Sequence, residues 1–316
     1  MNSLIIPVYR NEQCIPELLE SLRTLARGVE QLEVVFVIDG SPDNCYSLLR
    51  NAAPTLPFRT QIIMHSRNFG SFAGIRTGLI AARGECFATM AADLQEPIEL
   101  AEECFRRLAA DEADVLIATR DARNDPTMSR LSSSAFWWFY RRLINSDIPP
   151  GGVDVFACNR RFRDQLVRLE EHNSSLIGLL FWMGFRRKTV SYERRARQHG
   201  TSAWTFRRKL KYMVDSVFAF SDLPIRLLFG VGAAGLIFAV VLGLIVVAMR
   251  LHSGVSVPGY TATMITILFF GGLNAFGLGL IGTYLWRAFA NTQRRPLSIV
   301  MSNEKFDGVN ESPGQK

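Results

Sequence analysis

The sequence has few of the residues from which disulfide frameworks and protein-only metal centres are built. Its 316 residues include five cysteines, without a CxxC pair or regular spacing, and four histidines, none spaced as metal ligands. A disulfide scaffold and a zinc centre are therefore excluded, and we interpret the cysteines as ordinary reduced thiols. A helix that reads nucleic acid and basic segments interleaved with aromatics are also missing. Despite the net charge of +7, we therefore expect anionic lipid and phosphorylated substrates, and no nucleic acid, as partners.

Two long stretches contain no charge, and both lie in the C-terminal third. Residues 227–249 and 264–286 are each about 23 residues long, which is enough to cross roughly 30 Å of hydrocarbon. Neither has the position of a cleavable signal peptide. Basic residues flank the pair on its outer sides, whereas the connecting loop 250–260 carries only Arg250 and His252. The positive-inside rule then predicts two transmembrane helices, with the N-terminal domain and the tail both cytoplasmic. The flanking residues are Arg207, Arg208, Lys209, Lys211, Arg226, Arg287, Arg294 and Arg295.

In the first 120 residues, apolar runs of strand length alternate with segments of helical spacing. Such alternation predicts an α/β fold with a mostly parallel sheet and helices on both faces. Polar residues follow the strands, and the strand ends of an open parallel sheet form its ligand crevice. The predicted strands are 3–8, 32–38, 60–65, 87–92 and 114–118, and the polar residues at their ends are Tyr9, Glu12, Asp39, Arg67, Asp93 and Gln95.

Asp93 stands where an apolar strand ends and Pro97 begins the next helix. A hard divalent cation bound by one carboxylate, with a substrate diphosphate supplying further oxygens, suits such a position. The alternative is a plain turn aspartate that caps the following helix.

Beyond residue 120 the composition changes. A helix over 129–144 carries an aromatic run, 136–140, which is either a core or interface feature or a groove for a prenyl chain. A strand at 190–193 leads into a basic loop. Residues 206–218 form an amphipathic helix that either lies on a bilayer or packs against the preceding domain. The polar tail after Arg295 is expected to be disordered.

Taken together, the loops and the two apolar stretches resemble family 2 glycosyltransferases. The branch in question includes dolichol-phosphate mannose synthase and the bactoprenol (undecaprenyl-phosphate) glucosyltransferases. Five motifs in order carry the resemblance, which extends to about Val300. They are Pro7-Val8-Tyr9-Arg10-Asn11-Glu12, Val37-Ile38-Asp39-Gly40-Ser41, Ser66-Arg67-Asn68-Phe69-Gly70, Ala92-Asp93-Leu94-Gln95-Glu96-Pro97 and Arg197-Gln198-His199-Gly200-Thr201-Ser202.

The resemblance implies a GT-A fold that transfers a hexose from a UDP- or GDP-sugar to a polyprenyl phosphate, with inversion at the anomeric carbon. An acceptor phosphate is already anionic at neutral pH and needs no strong general base. The site must instead align the reactants and neutralise charge on the departing diphosphate. A divalent cation, Mg²⁺ or Mn²⁺, at Asp93 and Gln95 would do this together with arginines.

The resemblance also assigns individual residues. Asp93, Asp154, Arg120 and Arg130 form the expected catalytic set, in which the two arginines, with Ser134, lie where the family binds the acceptor phosphate. Arg197 and Ser202 belong to the loop that closes on the donor diphosphate. The expected nucleoside pocket comprises Pro7, Tyr9, Glu12, Asp39 and Arg67.

Four positions depart from the family pattern. Ala91 stands where many relatives carry the first acid of an Asp-x-Asp pair, which leaves one protein carboxylate for the metal. Ile38 and Phe156 replace polar residues that are common in relatives. Arg10 lengthens the first loop, so that either Asn11 or Glu12 takes the usual acidic position.

The expected organisation is a GT-A domain (1–205), an amphipathic juxtamembrane helix (206–224), two transmembrane helices (225–290) and a tail (291–316). We expect a multi-pass protein of the bacterial inner membrane. Glycines along both spans favour close helix packing and a homo-oligomer, with a tetramer as one form. Two alternatives remain: a glycosyltransferase with another lipid or glycan acceptor, and a non-catalytic nucleotide-sugar-binding scaffold, which Ala91 suggests.

Overall fold

The computed structural model describes residues 1–120, 137–142, 145–149, 152–195, 206–253 and 259–308. The chain divides into two compact units. The sheet unit comprises Met1–Glu171, Leu176–Lys209 and Arg295–Lys316. The helical unit comprises His172–Ser175 and Leu210–Arg294.

The sheet unit is built on an eight-stranded sheet with the order β7-β5-β6-β4-β1-β2-β3-β8. The central strands β1 to β4 are parallel, whereas β6 and β8 run antiparallel to their neighbours. The predicted α/β fold with a mostly parallel sheet is confirmed. The strands are β1 (Asn2–Val8), β2 (Leu32–Ile38), β3 (Arg59–His65), β4 (Cys86–Thr89), β5 (Val115–Arg120), β6 (Val155–Asn159), β7 (Arg187–Tyr192) and β8 (Val300–Phe306). The helices are α1 (Ile15–Gly28), α2 (Cys45–Ala52), α3 (Ser71–Ala81), α4 (Ile98–Ala109), α5 (Arg160–Leu166) and α6 (Leu176–Trp182).

The core forms because strands and helices bury complementary apolar faces. Every residue of β2 is buried, which is typical of a strand covered on both faces. Helix α1 buries Ile15, Leu18 and Leu22 at helical spacing, and each such side chain contributes about 1.5–3 kcal/mol. Helix α3 lies against β1 at Gly78, where a Cβ atom would stand 2.3 Å from Ile5 Cγ2. Any larger residue there would force the helix away from the strand.

Strand β4 is shorter than the sequence pattern predicts. The apolar run extends to Ala92, but the strand ends at Thr89. Thr89 Oγ1 donates to the Phe156 carbonyl (3.0 Å) and accepts from the Phe156 amide (3.1 Å). Past this point, the amide of Ala91 donates to the Glu96 carboxylate (3.2 Å) and to no neighbouring strand. A buried carboxylate therefore ends the strand and turns the chain.

The expectation of a disordered tail is wrong for residues 300–306. This segment is β8, which pairs antiparallel with β3 from Thr60 opposite Phe306 to His65 opposite Val300. Glu304 fastens the strand to α2, because its carboxylate accepts hydrogen bonds from Tyr46 Oη and from Arg50 Nε (2.9 Å for the arginine). The otherwise unpaired edge of β3 is thereby covered.

The helical unit contains two helices that are long and apolar enough to cross a membrane. These are α8 (Leu223–Ser253) and α9 (Tyr260–Thr292), preceded by α7 (Phe206–Phe220). Within their most apolar stretches, 0% and 6% of the residues are buried by the chain itself. Apolar surface left uncovered on this scale requires a lipid or protein environment. The sequence pattern carries the amphipathic helix to Pro224, but α7 ends at Phe220 and the proline lies in the first turn of α8, where it is tolerated.

Candidate active site

Four predicted loops leave neighbouring parallel strands at one edge of the sheet. The loop after β1 begins at Tyr9, that after β2 at Asp39, that after β3 at Ser66, and that after β4 at Met90. Because β4, β1, β2 and β3 are adjacent and parallel, their carboxyl ends lie side by side and form the crevice in which open α/β sheets bind ligands.

The first two loops are joined by hydrogen bonds. The Arg10 amide donates to Ser41 Oγ (2.7 Å), and the Glu12 amide donates to Asp43 Oδ2 (3.1 Å). The Glu12 carboxylate in turn accepts from Asn44 Nδ2 (2.8 Å) and the Asn44 amide (3.2 Å). Glu12 therefore braces the start of α2, and a direct contact with a nucleoside stays a prediction.

Pro7 and Tyr9 lie on either side of the point where β1 ends. Pro7 is the penultimate residue of β1, opposite Val37 of β2. The Tyr9 amide donates to Asn11 Oδ1 (3.0 Å), and the Arg10 guanidinium lies 5.4 Å from the centre of the Tyr9 ring. Asn11 thus shapes the turn and Glu12 joins it to the second loop.

Asp39 is buried and organises the loop after β3. Its Oδ1 accepts from the Phe69 amide (2.8 Å) and lies 2.9 Å from His65 Nδ1, while its Oδ2 accepts from the Gly70 amide (2.7 Å). A carboxylate with two backbone donors and an imidazole holds its loop strongly. Contact between Asp39 and a base or ribose is untested and stays a prediction.

Arg67 lies on this loop, as expected for a residue that borders the same pocket. Its guanidinium stacks 4.1 Å from the centre of the Phe69 ring, a cation–π arrangement. Gly40 passes close beneath it: the residue has a φ of +59°, and a Cβ atom there would lie 2.4 Å from the Arg67 carbonyl carbon. Only glycine fits this approach.

The Asp93 loop makes a tight turn. Leu94 adopts a φ of +55°, a conformation that side chains other than glycine enter at an energetic cost. The Gln95 amide lies 3.4 Å from Asp93 Oδ1, and the Glu96 carboxylate accepts from the Ala91 amide. Gln95 and Glu96 are both buried. The turn thus places two acids and an amide within four residues.

Glu96 was part of the recognised motif but received no role from the sequence. It is 4% exposed. Burial raises the pKa of its carboxyl to about 7, to which the negative charge of Asp93 contributes next; Asp154 also raises it, and Arg194 lowers it. The pKa of Glu96 therefore depends on the charges of Asp93, Asp154 and Arg194.

Asp154 and Arg120, two members of the expected catalytic set, form an ion pair. Arg120 Nε is 3.3 Å from Asp154 Oδ2, and both side chains are about one-fifth exposed (21% and 18%). Tyr192 Oη donates to the same carboxylate oxygen (2.9 Å). Burial raises the pKa of the Tyr192 phenol, and the charges of Asp154 and Glu96 raise it further. The phenol therefore stays protonated and keeps donating.

Arg194 joins β7 to the Asp93 loop. Its guanidinium donates to Gln95 Oε1, and the amide of the next residue, Arg195, donates to the Gln95 carbonyl (2.9 Å). Arg194 is the first residue of the basic loop. The sequence analysis assigned a role only to Arg197 and Ser202, further along that loop. Burial of Glu96 and Tyr192, and the position of Arg194, depend on the folded chain.

Four predicted site residues lie outside the described residues. They are Arg130, Ser134, Arg197 and Ser202. Their assignments to the acceptor phosphate and the donor diphosphate remain predictions.

The oxygen ligands of the Asp93 turn fit a hard divalent cation. Within the described ranges, no group of three or more histidine, cysteine, aspartate or glutamate side chains is arranged to hold a metal. Asp93 offers one carboxylate, and the Gln95 amide oxygen, which accepts from Arg194, keeps a second lone pair; Mg²⁺ and Mn²⁺ accept such oxygens together with water and phosphate oxygens. The residues present fit a cation that is bound jointly with a phosphorylated ligand.

Comparison with known proteins gives a consistent result. Residues 3–169 match the family described as Glycosyl transferase family 2. CsbB of Bacillus subtilis (strain 168), described as a glycosyltransferase, is 34% identical over 94% of this chain and 90% of its own length. The prophage bactoprenol glucosyl transferase homolog of Escherichia coli (strain K12) is 28% identical over 96% of this chain and 99% of its own. The mannosyltransferase PcManGT from Pyrobaculum calidifontis aligns with a TM-score of 0.47 and 18% identity, over 90% of this chain and 87% of that one.

The family match spans more than half of the chain, and the similarity to CsbB spans nearly all of it. The resemblance found in the five loop motifs is thereby confirmed, and the expectation of an enzyme that transfers a sugar is confirmed with it. The chain belongs to glycosyl transferase family 2.

Proposed function

We propose that this protein transfers a hexose from a nucleotide diphosphate sugar to a polyprenyl phosphate, with inversion at the anomeric carbon. The observation that carries the proposal is the cluster of Asp93, Glu96, Asp154, Arg120 and Arg194 at the carboxyl edge of the sheet. The lipid acceptor is supported by the two apolar helices and by the relative in E. coli, which is named for bactoprenol.

On the donor side, the loops after β1, β2 and β3 would form the nucleoside pocket. Asp39 and Glu12 hold these loops in one arrangement through bonds to backbone amides. Arg67, stacked on Phe69, presents a planar cation at the rim. Preorganised loops of this kind reduce the entropy cost of binding.

Asp93 and Gln95 would hold the divalent cation, Mg²⁺ or Mn²⁺. When bound, the cation neutralises charge that develops on the departing diphosphate. With Ala91 in place of a second acid, the protein supplies few of the oxygens that such a cation prefers. Donor diphosphate oxygens would complete the set, so the affinity for the cation should rise when the donor binds.

At the reacting centre, an oxygen of the lipid phosphate attacks the anomeric carbon from the side opposite the diphosphate. The bond between that carbon and the diphosphate oxygen breaks as the new bond to the lipid phosphate forms. Since the phosphate is ionised at neutral pH, Asp154 need not remove a proton. We assign Asp154, fixed by Tyr192 Oη, the role of orienting Arg120 toward the acceptor phosphate.

Arg194 is a further candidate for diphosphate binding. Its Nε atom is buried and has no hydrogen-bond partner among the residues that the structure describes. A buried guanidinium donor without a partner costs free energy, and a phosphate oxygen would satisfy it. Arg197 and Ser202 follow on the same loop and would act with it.

We place the enzyme in the bacterial inner membrane with two spans and with both termini cytoplasmic. The basic residues outside the two spans, and their scarcity between them, support this topology. Several span glycines, such as Gly232 and Gly271, have open space where a Cβ would stand, which favours packing against another copy. A homo-oligomer follows, with a tetramer as one form. Cross-linking in native membranes that yields only monomer would rule it out.

The test is a transfer assay in membranes that contain the full chain. Radiolabelled UDP- and GDP-hexoses are supplied with undecaprenyl phosphate. The expected product is a labelled lipid from which mild acid releases the sugar. We expect one donor to label the lipid and Asp154→Asn to reduce the rate at least roughly tenfold. Asp111→Asn, a change of the same kind at a side chain that is 78% exposed, is the control. Transfer only to a glycan, or none with any donor, would contradict the proposal.

A further inference from the structure

A chain of hydrogen bonds, buried at His65 and part-buried at Ser298, joins the segment after α9 to the loop held by Asp39. Ser298 Oγ lies 2.8 Å from Thr77 Oγ1, Thr77 Oγ1 lies 2.9 Å from His65 Nε2, and His65 Nδ1 lies 2.9 Å from Asp39 Oδ1. The side chains of His65 and Asp39 are 0% and 3% exposed. We call these four residues the buried relay.

One bond of the buried relay has a direction that elementary chemistry fixes. A carboxylate only accepts, so the hydrogen on the bond to Asp39 belongs to His65 Nδ1. The state of the His65 ring then sets the direction of the two outer bonds: with a hydrogen on Nδ1 alone, Nε2 accepts from Thr77 Oγ1, which in turn accepts from Ser298 Oγ. In either direction, the hydroxyl of Ser298 bonds to Thr77 Oγ1 and restricts the rotamer of Thr77.

The same segment also contacts this part of the sheet through its backbone. The Ser66 amide donates to the Ile299 carbonyl (3.0 Å), and His65 is paired with Val300 at a shift in the β3–β8 register. Ser66 begins the loop that carries Phe69 and Gly70, whose amides bind Asp39. Residues 298–300 thus support that loop at two points, one through the backbone and one through the relay.

We infer that Ser298 is a positioning residue of the donor pocket, acting through Thr77 and His65 on Asp39. The inference rests on the proposed function, which assigns the Asp39 loop to the nucleoside. Affinity for the donor then depends on a strand that follows both apolar helices in the chain. No sequence pattern in the first 205 residues contains this dependence.

The test compares hydroxyl-deleting variants in the full-length protein, in detergent or nanodiscs. We expect Ser298→Ala and Thr77→Val each to weaken binding of the donor nucleotide roughly three- to tenfold, the effect of one lost hydrogen bond. Acceptor KM and kcat should stay unchanged. The double variant should be no worse than either single one, because both break the same relay. Ser298→Thr, which keeps the hydroxyl, should restore affinity.

Ser302→Ala is the matched control. It removes a hydroxyl from β8 itself, and Ser302 Oγ is buried with no hydrogen-bond partner among the described residues. Equal donor affinity in Ser298→Ala and Ser302→Ala would overturn this inference alone, as would a Ser298→Ala defect confined to acceptor KM. Failure of the parent protein to bind UDP, GDP or their sugars would overturn the proposed function as well. Thr77→Val reaches the relay from α3, so a folding defect in β8 cannot mimic its effect.

Discussion

Glu96→Gln tests the electrostatics of the Asp93 turn. Glutamine keeps the shape and an oxygen that can accept from the Ala91 amide, but it removes the ability to ionise. Burial and the charge of Asp93 raise the pKa of Glu96 from 4.5 to about 7. The folded protein therefore binds this proton more tightly than the unfolded chain does. Below about pH 4.5 the group is protonated in both states, and above about pH 7 it is ionised in both.

The sign of the effect follows from those two limits. Between them the folded state loses stability as the pH rises, by up to about 1.4 kcal/mol per pH unit and roughly 3 kcal/mol in all. The glutamine variant does not pay this cost. It should match the parent at about pH 4, below both pKa values, and exceed it at pH 8. For a domain of this size, 3 kcal/mol corresponds to roughly 6–12 °C in melting temperature.

The assay is thermal melting of the full chain at several pH values, without divalent cations. Glu99→Gln, three residues away and 68% exposed, removes the same charge and should show little pH-dependent difference. Addition of Mn²⁺ with nucleotide should narrow the gap for Glu96→Gln, since a cation at Asp93 offsets its charge. An equal melting temperature of variant and parent at pH 8 would refute the reasoning.

Three further predictions concern the pocket, the reacting centre and the topology. Gly40→Ala combines left-handed backbone strain with a backbone clash and should lower the free energy of unfolding by more than about 1–2 kcal/mol. It should also weaken nucleotide binding measured by calorimetry. Gly184→Ala, at a φ of +72° with open space around it, should lose only the stability due to strain. Tyr192→Phe removes the donor to Asp154 and should lower kcat roughly tenfold with donor KM unchanged; an unchanged kcat in steady-state assays would contradict the role given to Asp154. The cysteine of Ser256→Cys, between the spans, should react with an impermeant maleimide added outside intact cells. The background should be low because the five native cysteines are buried. Labelling only after lysis would show that the topology is the opposite of the one proposed.

Much of the sheet unit could be predicted because its information is local. Apolar runs marked the strands, and the helical spacing of Ile15, Leu18 and Leu22 marked α1. The strand ends gathered the four loops at one edge, since parallel strands allow no other arrangement. The family resemblance placed Asp154 and Arg120 in one catalytic set without pairing them, and the structure brings them to 3.3 Å.

What the sequence did not reveal depends on contacts between distant segments. Strand β8 has a polar composition, and it is ordered by pairing with β3, by Tyr46 and by Arg50. No local pattern encodes a partner more than two hundred residues away. His65 received no role because its neighbours Asp39 and Thr77 meet it only in the fold. Glu96 stood in a recognised motif, but its burial, which sets its pKa, depends on the folded loop around it.

The most direct measurement is cation-dependent transfer to undecaprenyl phosphate by Asp93→Asn, with Asp111→Asn as the matched variant. In the parent and in Asp111→Asn, transfer should stop when EDTA is added and return with Mg²⁺ or Mn²⁺. Asp93→Asn should lose transfer, or require much more cation to regain it, because the one carboxylate assigned to the cation is gone. Transfer by Asp93→Asn at the parental rate and cation requirement would contradict the account.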